Sequence, residues 1–518
     1  MMMKNEKLIA RPYQVDALDS IRNHYSRGEK RVLLHLATGA GKTFLFSMML
    51  KKVYERGKYA ILVVRGRALV DQASQRLMRE EVPHGVIMAG HWNYKPTERI
   101  QVCSIDTIHR RKIKLEASMI VIDEAHMAAS RSYRELIDMY PDAFFLSVTA
   151  TPYVKAGLKH LADHVVHPIS VEKLMEQGYL VRPRYFSFPT DINLDDVEID
   201  KKTGDYNQVQ LGEAVNKSAT LCGDIVTHWL KHARGRPTIA FAVNVRHSKA
   251  IANRFKDAGI QAEHIDADTP EDERRWVLQG LREGKIKVVS NVGILCTGVD
   301  IPEVSALILA RPTQSKNLFI QQVGRGSRPY NNKSDFVVLD HATNVMKHGP
   351  IEDEEPCQLE GHGKVPKIKG SMTKCPKCFC VFDKKIYGKS CPGIILDDNG
   401  DEKPCGFEFI EIVDSVEPTE KSSGVINDTS KILVEITQPK DFFSSRLRQD
   451  LDRLITIAIE KNYKPGYVWH KIKDSHGLTK ANQCRGEIQR RLGLFRQLDS
   501  NAIAETLKKV KAGLRGNS

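Results

Sequence analysis

Four short runs of continuously apolar residues mark the first third of the chain: RVLLHL (31–36), YAILVV (59–64), SMIVID (118–123) and FFLSVTA (144–150). Helix-length amphipathic segments separate them. A strand buried on both faces reads as an unbroken apolar run, so this alternation predicts a parallel sheet covered by helices. The pattern fades across PTDINLDDVEIDKKTGDYNQ (189–208), which is polar, acidic and rich in turn residues. It resumes with TIAFAV (238–243), KVVSNV (287–292), ALILA (306–310) and FVVLD (336–340). The chain therefore reads as α/β, with parallel-sheet domains over 1–188 and 221–350 and a linker over 189–220. Beyond about residue 350 the character changes. A cysteine-rich segment (351–413), a polar linker (414–440) and a basic helical tail (441–518) follow.

Composition adds a partner to this picture. At 518 residues the chain exceeds one hydrophobic core. Lys and Arg number 78 against 64 Asp and Glu, and a net charge of +14 favours a polyanionic partner. The first residues have no apolar core of signal-peptide length and no run approaches a membrane span, so a cytoplasmic location without membrane contact is expected. Six of the ten cysteines fall between Cys357 and Cys405, which points to a metal site more than to disulfides.

The first candidate chemistry lies in LHLATGAGKTF (33–43). It almost matches the glycine-rich phosphate loop G-x-x-x-x-G-K-[ST], but Leu36 stands where the first glycine belongs. Thr38, Gly39, Ala40 and Gly41 would turn backbone N–H groups toward phosphates, Lys42 would supply an ammonium, and Thr43 a hydroxyl for Mg²⁺. VIDEAH (121–126) sets Asp123 and Glu124 just past an apolar strand, where open α/β sheets bind ligands. Asp123 suits a Mg²⁺ site and Glu124 the orientation and deprotonation of a water. Each stretch taken alone also reads as a plain turn after a strand. Together on one sheet, 81 residues apart, they read as a nucleotide site.

A-T-G-x-G-K-T at 37–43, DEAH at 123–126 and SVTATP at 147–152 resemble the superfamily 2 helicases, whose phosphate loop commonly lacks the first glycine. The resemblance implies two tandem RecA-like domains, and it extends to RPYQ (11–14), where Gln14 would read the adenine edge. RALVDQ (67–72), with Ala68 replacing the family's Glu, and SIDT (104–107) resemble strand-holding motifs. Arg67, Gln72 and Thr107 would then hold a nucleic-acid backbone. His126, Thr149 and Thr151 would couple the ATP site to the strand, although the threonines equally well cap a turn.

QQVGRGSR (321–328) matches the family's Q-x-x-G-R-x-x-R, which implies Arg325 and Arg328 as arginine fingers with Gln321 beside them. NVGILCTGVDIP (291–302) resembles the preceding motif. It implies Thr297 and Gly298 near nucleic acid and Asp300 near the ribose and the arginine loop. Asn291 stands where Ser or Thr is usual, which leaves its hydrogen bond open. Cys296 reads as a small buried residue rather than a nucleophile, and Phe241, in a further motif-like stretch, as core.

The cysteines run Cys375-x₂-Cys378-x₁₂-Cys391-x₁₃-Cys405. The first C-x₂-C is a knuckle that turns two thiolates toward one tetrahedral Zn²⁺. A hairpin or loop must interrupt the second, and Cys380 or Cys357 competes as a ligand. A split second knuckle with an acidic insert after a superfamily 2 core resembles the RadD-like DNA-repair helicases. From Lys461 to Arg515 there are thirteen Lys or Arg and four Asp or Glu. Within that tail Lys464, Trp469 and Lys471 interleave charge and aromatic surface as a strand-binding face does; core packing is the other reading. The resemblance implies an ATP-, Mg²⁺- and Zn²⁺-containing helicase or translocase on single-stranded or branched DNA, with a single-strand-binding or repair protein as a partner. An RNA helicase and a restriction-type translocase working with a separate nuclease are the alternatives.

Overall fold

The computed structural model describes residues 10–128, 130–154, 156–190, 192–200, 203–217, 225–296, 300–361, 372–397 and 399–409, together with Leu454, Val468, Lys471 and Ile472. Thr297, Gly298, Lys464 and Trp469 lie outside them. Residues 1–411 form one compact unit and 412–518 another.

All four early apolar runs are strands. The first sheet holds β1 (Arg31–His35), β2 (Ala60–Val64), β3 (Gly85–Ile87), β4 (Ile100–Ser104), β5 (Met119–Ile122), β6 (Phe144–Thr149) and β7 (His164–Val166). They are parallel throughout, in the order β3-β4-β2-β5-β6-β1-β7. Residues 60–64 and 119–122 are buried at every position, as the unbroken apolar runs require. Helices α1 (Pro12–Ser26), α2 (Lys42–Glu55) and α3 (Arg67–Arg79) each turn one apolar stripe inward, for example Ala17, Leu18 and Ile21 of α1. Pro12 opens α1 at the position where a missing N–H costs nothing.

The second sheet contains the later four runs as β9 (Thr238–Phe241), β11 (Val288–Asn291), β12 (Ala306–Leu309) and β13 (Asp335–Asp340). It adds β8 (Arg182–Ser187), β10 (Ala262–Ile265), β14 (Met372–Lys374) and β15 (Cys380–Asp383), in the order β10-β11-β9-β12-β13-β8-β15-β14. Asn244 caps the helix Val245–Asp257 by accepting from His247 N at 2.8 Å.

Three sequence boundaries change. The expected division at 188 is too late, because β8 pairs in parallel with β13 over six residues and so belongs to the second sheet. The expected linker 189–220 is in part folded onto that domain. Helix Gln208–Lys217 buries Leu211 and Val215 in its core, and buried Asp205 accepts from Thr313 Oγ1 at 2.9 Å and Gln314 N at 2.6 Å. The cysteine segment is not a free module either. β15 pairs antiparallel with β8, and the cysteines share the second domain's apolar cluster.

Between the second domain and the cysteines, residues 350–361 form a strap that crosses to the first domain. Leu158 N and Lys159 N donate to Leu359 O at 2.7 and 2.9 Å. Glu355 N donates to Tyr153 Oη at 3.2 Å. Gly157 permits this approach, since a Cβ there would lie 2.3 Å from Leu359 O.

Candidate active site between the two sheets

β1 ends at His35, and the chain then makes the phosphate-loop turn before α2. Gly39 and Gly41 adopt φ of +85° and +86°, a left-handed conformation that costs a side-chain-bearing residue about 1–2 kcal/mol. Leu36 needs no such freedom: its N–H continues the ladder to Thr149 O at 3.1 Å and its side chain is fully buried. The missing glycine is therefore a core position of the strand. Gln14 Nε2 and Tyr13 Oη both donate to Ala40 O, at 3.1 and 2.9 Å, while Gln14 Oε1 accepts from Arg11 N at 2.9 Å. In this state Gln14, expected at an adenine edge, is buried and braces the phosphate loop. Tyr13 shares that task and was not singled out from the sequence; its place beside Gln14 was the available signal.

Lys42 opens α2, with Nζ 3.5 Å from Ala37 O. Burial lowers its pKa, opposed by the charges of Glu124 and Asp123. Asp123 follows β5 and bonds through its N–H to Val63 O at 3.1 Å, which fixes it at the strand end. Burial and then Glu124 push its carboxyl up to about 7, against the pull of Lys42. Such a site favours a bound cation. Glu124 adopts φ +50°, a strained value for a non-glycine residue. Its Oε2 is buried and lies 3.4 Å from His126 Nδ1.

His126 is the hub of the site. Its Nδ1 lies 3.1 Å from Thr149 Oγ1 and 3.2 Å from Thr151 Oγ1, and its Nε2 lies 3.2 Å from Gln321 Nε2 of the second domain. Burial lowers its pKa, which keeps the ring neutral. A neutral ring bonded by the Gln321 amide at Nε2 carries its proton on Nδ1, facing Glu124 and the two threonines.

Gln321 belongs to the helix Lys316–Val323, capped by Ser315, which accepts from Leu318 N at 3.2 Å. Gly324 follows and meets the phosphate loop: a Cβ there would sit 2.9 Å from Thr38 Cβ. Arg328 Cγ would lie 3.5 Å from a Cβ on Gly39. Arg328 thus lies against the phosphate loop, and the charges of both predicted arginines lower the pKa of Lys42. Arg325 Nε and Nη2 donate to Cys296 O at 3.1 and 2.7 Å, and burial lowers its pKa to about 10. Arg328 pairs with Asp300. Only a small, water-sized gap remains between the domains, lined by Thr38, Leu180, Ile320, Gly324 and Glu354 among others. Tyr153, which continues the TATP stretch, accepts at its carbonyl from Asn317 Nδ2 at 3.1 Å.

Asn291 resolves its open hydrogen bond internally: Nδ2 donates to Ala240 O at 2.9 Å and Oδ1 accepts from Leu295 N at 3.1 Å. Cys296 is buried with its thiol pKa raised, and Phe241 is core. Arg67 and Gln72 are exposed on α3, and Thr107 is half-buried in the helix Ile105–Arg111 that follows β4. Lys471 is exposed in the second unit.

Cys375, Cys378, Cys391 and Cys405 are all buried, with their sulfurs within 4.8 Å of one another. Cys375 and Cys405 lie 3.8 Å apart, Cys378 and Cys391 3.5 Å. Tetrahedral bonds of about 2.3 Å to one Zn²⁺ require sulfur separations of about 3.8 Å, so the four fit that ion. Lys377 N and Gly393 N donate to Cys375 Sγ and Cys391 Sγ, as knuckle turns do. The insert in the second knuckle is a hairpin, β16 (Ile394–Leu396) with β17 (Glu402–Pro404). Cys380 is buried beside the quartet but is not part of it, and Cys357 packs on the first domain.

Among known families, the model described as "Type III restriction enzyme, res subunit" matches residues 7–154, and "Helicase conserved C-terminal domain" matches 218–329. A 51.5 kDa protein of a Lactococcus phage (isolate 7-9) is 31% identical over 351 residues, 66% of this chain and 74% of its own. IRC3 of Saccharomyces cerevisiae, named as an ATP-dependent helicase, is 26% identical over 64% of this chain and 51% of its own. The solved structure of the ATP-dependent Type ISP restriction-modification enzyme LlaBIII bound to DNA superposes with a TM-score of 0.53 at 17% identity, over 68% of this chain and 29% of that one. The chain thus spans about half of IRC3 and under a third of LlaBIII. Among the described residues no helix is long and apolar enough to cross a membrane. With a restriction-subunit model on the first sheet, a helicase C-terminal model on the second and a phage relative matched across three quarters of its length, the chain belongs to the superfamily 2 helicases.

Proposed function

We propose that the chain is an ATP- and Mg²⁺-dependent DNA translocase or helicase of the RadD-like repair type, whose catalytic unit is the closed pair of sheets. The contact of His126 with Gln321 supports this most directly, because it ties the residue beside the catalytic carboxylates to the helix of the other domain that leads into the arginine loop. Lys42 and the loop amides would hold the phosphates of ATP, Thr43 and Asp123 would hold Mg²⁺, and Glu124 would take the proton of the attacking water. The metal supplies charge neutralisation across the phosphate oxygens. Arg325 and Arg328 add positive charge from the second domain, so hydrolysis removes the ligand that both domains share and lets the cleft reopen. Arg67, Gln72, Thr107, Thr297 and Gly298 are proposed strand contacts. Asp300 is proposed at the ribose, and the four cysteines are proposed to hold Zn²⁺ as a structural anchor on the second sheet.

DNA is favoured because the similarity to LlaBIII is to an enzyme solved on DNA. The match to a restriction-subunit model keeps a translocase with a separate nuclease as the second reading. ATP turnover measured with single-stranded, forked and duplex DNA and with RNA tests the proposal. Stimulation by RNA alone, or by no nucleic acid, would refute it. Duplex-stimulated turnover without strand separation would favour the restriction-type translocase.

A further inference from the structure

The loop between β3 and β4 presents two large aromatic rings to solvent: Trp92 is 74% exposed and Tyr94 59%. The residues that alternate with them are buried and held. His91 Nε2 donates to Asp71 of α3 at 2.9 Å, and its Nδ1 accepts from Asn93 N at 3.0 Å. Asn93 O accepts from Val86 N at 2.9 Å, and its amide donates to His84 O at 3.3 Å. Gln101 clamps the far end by donating to Lys95 O and Glu98 O, both at 2.8 Å. Gly85 lets that end approach β3, since a Cβ there would lie 2.1 Å from Lys95 O. The loop is therefore pinned at its polar positions, and the exposure of the rings is built in rather than a result of slack.

We infer that Trp92 and Tyr94 form a base-stacking platform for single-stranded nucleic acid, an inference that rests on the translocase reading above. The charge around the rings fits that occupant. Lys95 and Arg99 are exposed nearby in the chain and Arg67 is exposed on α3, while Asp71 is paired with His91 and Glu98 is half-buried. Arg67, proposed above as a backbone contact, donates to Ala89 O of this same loop at 2.9 Å, so phosphate-facing and ring-bearing residues share one rigid unit. The His91 ring stacks beside Trp92, with centroids 5.6 Å apart, and limits its orientation. A protein partner calls for a contiguous apolar patch. Here two separate rings stand among cations and small polar residues, the combination that tracks a strand by stacking and charge.

The test is fluorescence anisotropy of a labelled oligothymidine with the full chain carrying Trp92→Ala, Tyr94→Ala, or both. Each lost ring is expected to weaken binding about tenfold, with a smaller effect on blunt duplex. Trp92→Phe should restore most of the affinity, and an unchanged thermal midpoint should show that the variants fold. Wild-type binding matched within about twofold by the double alanine variant would overturn the platform and leave the translocase reading standing. Failure of the wild-type chain to bind any strand would remove both.

Discussion

Glu354 holds the strap to the first domain beside the phosphate loop, and replacing it with Gln isolates its charge. The carboxylate is nearly buried, with Oε1 3.1 Å from His35 Nε2 and Oε2 3.5 Å from His167 Nε2, and Oε2 also accepts from Val171 N at 3.0 Å. Despite burial, the two histidines hold its pKa down to about 2. Against an ordinary value of 4.5, at 1.36 kcal/mol per pH unit, this is worth on the order of 3 kcal/mol with both rings charged. Burial lowers the pKa of His35, so at neutral pH it is uncharged and only His167, raised by Glu354, remains as a cation. About half, roughly 1.5 kcal/mol, is then left for the pair, a tenfold effect. The depressed carboxyl contributes above pH 4.5 and its share is lost as pH falls toward about 2. The raised His167 contributes fully below 6.5 and its share is lost as pH rises through its folded value. The pair is therefore strongest between these limits. Hydrogen exchange at the Val171, Leu158 and Lys159 amides reads the strap directly. At pH 6, Glu354→Gln should exchange about tenfold faster than wild type, and the difference should be smaller at pH 9, on the far side of the raised His167 titration. Equal exchange at pH 6, or the same difference at both values, would refute the reasoning.

Lys42→Ala should abolish ATP turnover in a chain that keeps its thermal midpoint; retained turnover would remove the phosphate-loop assignment. Arg328→Ala should lower turnover about 10³-fold while nucleotide binding, read by a fluorescent analogue, changes far less. Gly326→Ala would place a Cβ 2.3 Å from Phe336 Cδ2 in the fully buried core, and should cost about 2–3 kcal/mol in thermal denaturation unless that ring yields. Elemental analysis should find one Zn²⁺ per chain, lost in the Cys375→Ser, Cys378→Ser double variant; four freely titratable thiols in the native protein would contradict this.

Eight apolar runs became eight central strands because a strand buried on both faces must be apolar along its whole length, a demand written locally. The same holds for Gly39, Gly41, Asp123, Glu124 and the Gly-Arg loop, where backbone conformation or charge at one position is tied to residue type. β8 escaped this reading. RPRYFS carries a proline and two arginines, and only its register beside β13 assigns it to the second sheet. Asp205 looked like one acid among many in a polar stretch until Thr313 and Gln314 closed over it. Six clustered cysteines left the ligand set open, and the sulfur positions single out four. Gln14 bracing the loop, His126 meeting Gln321 and the strap reaching Tyr153 all join residues far apart in the chain. Motifs specify which chemistry is present, because each depends on a few neighbouring residues. Which groups touch depends on long-range packing, and that is decided only when the two sheets close on each other.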